Sequence, residues 1–179
     1  MKKWLLLGFA LLFCVDARAE RKPYKVLVTP EKGLGQYGKV AVGNFDTRAF
    51  LEKLKEKNAS NYESYAELTP KINQLVRNYV VEAMNSRTVE LKGAGLVVSA
   101  KLLNYRTGDA GARATGAFFS SGGGGSRMGN GFLDYEITLS SAGKIVAMFN
   151  VHSDIKANKE GAYRAIGSYI NWFLQDFEK

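Results

Sequence analysis

The sequence predicts an α+β domain of two layers, with a mainly antiparallel sheet packed against two amphipathic helices. Three observations lead there. Residues 133–155 alternate apolar and polar side chains in two adjoining runs, the period of half-buried strands. Residues 72–84 and 162–177 instead repeat their apolar side chains at helical spacing, one stripe each. A sheet with one apolar face and two helices with one apolar stripe each satisfy one another in two layers.

The elements follow in order. Tyr24, Lys25, Val26, Leu27 and Val28 form a short strand candidate. Gly33, Gly35 and Gly38 punctuate a loop, and residues 39–45 read as a second strand. Residues 47–60 begin in a helical pattern through Phe50, Leu51 and Leu54 and then turn polar. The clearest helix is expected to start at Thr69, with Thr69 as N-cap and Pro70 at the first helical position. Ile72, Leu75, Val76, Tyr79, Val80, Ala83 and Met84 supply its stripe, and Asn85-Ser86 closes it. Residues 96–105 form a strand with Leu96, Val98, Ala100 and Leu102 on one face. The last helix has Asn158 as its cap and Ala162, Ile166, Tyr169, Ile170, Phe173 and Phe177 as its stripe.

The two alternating runs, Leu133 to Leu139 and Ile145 to Ile155, form a hairpin. A three-residue loop, Ser141-Ala142-Gly143, sets Leu139 opposite Ile145, Ile137 opposite Ala147, Tyr135 opposite Phe149 and Leu133 opposite Val151. That loop type requires positive φ at its last position, where glycine stands. In this register Asp134 faces Asn150, and His152 lies diagonal to Asp134.

Residues 1–19 read as a secretory signal peptide. Lys2 and Lys3 precede twelve apolar residues, and Ala17-Arg18-Ala19 supplies the small residues a signal peptidase requires. Twelve residues make a helix of roughly 18 Å, too short for a bilayer core of about 30 Å. Cleavage between Ala19 and Glu20 leaves one domain, residues 20–179, exported to the periplasm or secreted, with no transmembrane segment. Cys14, the only cysteine, offers a rival route by lipid attachment, which Phe13 just before it disfavours. After cleavage at Ala19 no thiol remains for a disulfide, a metal site or a nucleophile. The cleaved chain carries 22 basic and 16 acidic residues, a net charge of +6. That balance suits an anionic envelope surface, and no recognition motif points to nucleic acid.

Candidate sites are few. Gly33-Leu34-Gly35-Gln36-Tyr37-Gly38 matches G-x-G-x-x-G, but the dinucleotide motif opens a helix, and a strand follows here. Residues 108–131 hold nine glycines and form a glycine-rich loop. The loop lacks the Gly-Lys-Ser/Thr ending of a phosphate loop. It presents Arg113, Phe118, Phe119 and Arg127, a residue mix typical of binding hot spots. His152, the only histidine, shares the polar face of the hairpin with Asp134, Glu136 and Asp154. One reading is a solvated face. The other is a small periplasmic hydrolase using His152 with the nearby carboxylates.

The order of features after residue 96 resembles the domain-of-unknown-function family 4410. A strand is followed by Gly108, Arg113 and Gly116, a glycine cluster, Leu133-Asp134-Tyr135-Glu136, and a turn at Ser141 to Lys144. Val40 to Phe45 with Asp46 resembles the start of such domains. Ser140 stands where that family's turn has an Asp. Members are small bacterial envelope proteins, exported or lipid-anchored. The resemblance implies an α/β domain without catalytic residues to carry over. The expectation is therefore a non-catalytic exported binding or assembly module for another envelope component. It uses no cofactor and no metal, and its oligomeric state is left open.

Overall fold

The computed structural model describes residues 22–84, 95–107, 131–155 and 159–179. Five strands, β1 (Tyr24–Val28), β2 (Val40–Asp46), β3 (Leu96–Arg106), β4 (Gly131–Ser141) and β5 (Lys144–Ile155), form one sheet in the order β1-β5-β4-β3-β2. All neighbours are antiparallel except β2 and β3. Three helices accompany them: α1 (Arg48–Glu56), α2 (Tyr62–Met84) and α3 (Lys159–Asp176). Helices α1 and α2 form the crossover that a parallel β2–β3 pair requires. The two-layer α+β expectation holds, with α1 as a third helix.

The core lies between the sheet and the helices. Leu133, Tyr135, Ile137 and Leu139 of β4 are fully buried, as are Ala147 and Phe149 of β5. They meet Ile166, Ile170 and Phe173 of α3 and Val76 and Val80 of α2 in one cluster. A buried polar link crosses it: the Tyr135 hydroxyl donates to Asn73 Oδ1 (2.6 Å), and Asn73 Nδ2 donates to the Phe45 carbonyl (2.8 Å). Burial pushes the Tyr135 phenol far above its ordinary pKa, so it stays a donor. Arg77 of α2 reaches the carbonyls of Val42 and Gly43, where the β2–β3 register shifts and ladder partners are lost. These bonds settle where α2 sits along β2.

Two expectations require correction. Helix α2 begins at Tyr62, so Pro70 lies inside it and Thr69 is not a cap. An interior proline removes one hydrogen bond and crowds one carbonyl. The turn before it is held by packing, because the Tyr65 ring meets Phe50 and Tyr105 edge-on at 5.6 Å. Buried Thr69 donates its hydroxyl back to the Tyr65 carbonyl (2.8 Å). Leu75, placed in the apolar stripe, is exposed, and Asn73 is buried instead.

The hairpin register also differs. The turn has two residues, Ala142 (φ 48°) and Gly143 (φ 78°), and pairs Ser141 with Lys144. Positive φ at both central positions is the hairpin turn whose twist matches the strands. A bulge then shifts the register between Leu139 and Ser140. Leu139 therefore faces Ala147, Ile137 faces Phe149 and Tyr135 faces Val151. The bulge restores the apolar match that a plain two-residue turn would break, and it leaves Ile145 exposed. The Asn85-Ser86 stop, the Asn158 cap, residues 1–19 with Cys14, and the loop interior with Arg113, Phe118, Phe119 and Arg127 lie outside the described residues.

Candidate functional site

The corrected register places the only histidine. Asp134 faces His152 directly, one step from the Glu136–Asn150 pair. Both residues alternate with buried neighbours, so they project from the face of the sheet opposite the core. On that face the strands align Lys25, Asn150, Glu136, Lys101 and Asp46 in a row across the whole sheet. The next row holds His152, Asp134 and Asn104.

His152 is held at both ring nitrogens. Nδ1 lies 2.6 Å from Asp134 Oδ1, and Nε2 lies 3.2 Å from Asp154 Oδ1. An ionised carboxylate only accepts, so both bonds form together only when both nitrogens carry protons. The geometry is that of an imidazolium. The Asp134 hydrogen bond raises the His152 pKa above its ordinary value, with Asp154 adding to it and partial burial opposing it. Asn104 Nδ2 supports the second Asp134 oxygen (3.1 Å), and Lys53 of α1 donates to Asn104 Oδ1 (3.0 Å). The Phe132 ring lies 5.8 Å from the imidazole.

Chemically, this arrangement holds charge in place. A general base needs a free ring nitrogen, and both are spent on carboxylates here. No group of three or more His, Cys, Asp or Glu side chains among the described residues has the geometry to hold a metal ion. The sequence placed His152, Asp134 and Asp154 together correctly. It missed that His152 is directly opposite Asp134, because the bulge is invisible to a pattern argument. It also missed Asn104 and Lys53, which join through a second bulge in β3 after Leu102 and through α1.

The pH dependence has a definite sign. A raised histidine pKa means the folded state binds the proton more tightly. The added stability is complete below the unfolded value, near 6.5, and is lost as pH rises through the higher folded pKa. Half-exposure of the ring keeps the effect small, and His152→Ala should change stability by about 0.5 kcal/mol or less. An imidazole NMR titration should place the midpoint above 6.5, and Asp134→Asn should bring it down. A midpoint at or below 6.5 would remove the two-carboxylate arrangement.

The Gly33–Gly38 motif is not followed by a helix. Leu34–Tyr37 forms one 3₁₀ turn, and β2 comes next. A nucleotide phosphate therefore meets no long helix N-terminus here.

Among the described residues the chain forms a two-layer α+β domain with its helices on one face of the sheet. No protein-family model matches the chain, and no characterised protein matches it in sequence. Among solved structures it is similar to the PelC dodecamer from Paraburkholderia phytofirmans, at 11% identity over 85% of this chain and 96% of that one, with a TM-score of 0.46. A leucine-to-methionine variant of the same dodecamer gives 10% identity, 85% and 95% coverage, and a TM-score of 0.47. At that identity and score the likeness carries no functional information. Among the described residues no helix is long and apolar enough to cross a membrane.

Proposed function

We propose that this chain is a non-catalytic exported protein that binds or helps assemble another component of the bacterial cell envelope. The observation that carries the non-catalytic reading is the double engagement of His152, which leaves the only imidazole without a free nitrogen. Export rests on residues 1–19, and the envelope setting on the resemblance to family 4410. The contact residues proposed are Arg113, Phe118, Phe119 and Arg127, with an envelope protein or an anionic envelope surface as partner.

The test pairs capture with stability. The tagged, exported protein is used to capture partners from its native envelope, beside a variant with those four residues changed to alanine. The variant should lose the captured component and keep its melting temperature, while His152→Ala should retain both. Capture by the four-alanine variant would discard the contact assignment. Loss of the cellular phenotype in a stably folded His152→Ala protein would favour the hydrolase.

A further inference from the structure

Of the asparagines in the chain, only Asn58 is followed two residues later by Ser or Thr with a residue other than Pro between them. Asn58-Ala59-Ser60 is thus its single acceptor pattern for N-linked glycan attachment, a pattern with meaning on the surface of an exported chain. Glu56 stands two residues before the asparagine. The run Glu56-Lys57-Asn58-Ala59-Ser60 therefore also fits the longer form, acid-x-Asn-x-Ser/Thr, that bacterial transferases favour.

The fold puts this run where a large group has room. It spans the end of α1 and the short connection to α2. Glu56, Lys57, Asn58 and Ser60 are exposed, and only Ala59 is partly packed on the core. Asn58 has φ 47°, the left-handed conformation that ends many helices and that asparagine tolerates. That conformation accounts for an asparagine at 58 and asks nothing of Glu56 or Ser60. The turn closes without the side chain: the Asn58 N–H donates to the Lys55 carbonyl (3.0 Å), and the Ala59 N–H to the Leu54 carbonyl (3.1 Å). Among the described residues the Asn58 side-chain amide has no hydrogen-bond partner. Buried Leu54 and Tyr65 anchor the helices on either side, so the turn between them is not what holds the core.

We infer that Asn58 is an N-glycan acceptor, modified by a membrane-bound oligosaccharyltransferase. The donor is an oligosaccharide joined through its first sugar to a polyprenyl diphosphate. Asn58 Nδ2 attacks the anomeric carbon of that sugar. A C–N bond forms and the C–O bond to the diphosphate breaks. The lipid diphosphate leaves with the electron pair, and an Nδ2 proton passes to a carboxylate of the transferase. The Ser60 hydroxyl holds the acceptor peptide in register, and the Glu56 carboxylate meets a cationic group of the enzyme. In the cell this step rests on the export reading.

The test needs no export. The purified chain is incubated with a purified bacterial oligosaccharyltransferase and its lipid-linked oligosaccharide, and intact mass and peptide mapping are read. One glycan per chain is expected, on the peptide that holds Asn58. Ser60→Ala should abolish it, and Ser60→Thr should keep it. Glu56→Gln should slow transfer about tenfold or more, the loss of one charge-assisted contact. All three variants change exposed side chains, so their melting temperatures should match the parent. A folded chain left unmodified beside a modified control peptide overturns the inference, and so does a glycan that persists in Ser60→Ala. A chain that takes the glycan here but keeps residues 1–19 in cells fails the export reading alone. A chain that begins at Glu20 and takes no glycan fails this inference alone.

Discussion

Phe173→Ala is expected to lower stability by about 3–5 kcal/mol, the range for truncating a fully buried aromatic. For a domain of this size the melting temperature should fall by roughly 6–20 °C. Phe173 stacks on Phe149 of β5 with centroids 3.8 Å apart and planes 9° apart. Tyr24 of β1 meets it edge-on at 5.1 Å, and Phe177 lies 4.7 Å away. One ring thus joins the edge strand, its neighbour and the helix above them. The cavity left by alanine is walled by a sheet that collapses poorly, which places the cost high in the range. Thermal unfolding of purified protein gives the measurement. A loss below about 1 kcal/mol would show that α3 does not pack on β5 in this way.

Gly167→Val is the second large expected loss. Gly167 lies where α3 crosses α2, and an added Cβ would fall 2.7 Å from the Tyr79 carbonyl oxygen and 3.2 Å from the Ala83 side chain. The first of these is helix backbone, so the clash is relieved only by moving one helix. That movement strains neighbouring bonds. Arg164 lies 4.4 Å over the Tyr79 ring and bonds Glu82 (2.9 Å), and Tyr79 donates to Glu160 (2.8 Å). Overpacking of this kind costs about 1–3 kcal/mol or more, and valine sits at the upper end. Gly167→Ala meets the same oxygen but gains about 1 kcal/mol of helix propensity, so its net loss should be clearly smaller. Denaturant unfolding of the two variants separates them. Equal stability of Gly167→Val and the parent would rule out the close helix crossing.

The strands and helices that rest on local periodicity were legible in the residues. Tyr135, Ile137 and Phe149 are buried on the face their alternation assigns. What the pattern missed came from contacts far along the chain. Pro70 looks like a helix start until Tyr65 is seen packed on Phe50 and Tyr105. The hairpin loop looked three residues long because Leu139 and Ile145 are both apolar. A two-residue turn followed by a bulge satisfies the buried face better and leaves Ile145 outside. At the candidate site, the sequence grouped His152 with its carboxylates but did not show that both ring nitrogens are bonded. The glycines at 33 and 35 imitate a phosphate motif because both demand close approach of a backbone. Here the approaching chain is residues 178–179 of the protein itself.

The pairing of β1 with β5 has a consequence for the order in which the molecule is made. Tyr24 bonds Asp176, 152 positions later, and Lys22 pairs with the same carboxylate (2.8 Å). The β4–β5 hairpin closes over a two-residue turn and is available as soon as its own residues are free. Strand β1 has no local partner and must wait for β5 to pair with it and for α3 to complete the packing of Tyr24. Contacts between distant residues slow folding, because the intervening chain is ordered before they return free energy. A chain emerging from its N-terminal side therefore carries β1 as an unpaired strand until β5 arrives. In that interval Tyr24, Lys25, Val26 and Val28 travel without the strand that will flank them.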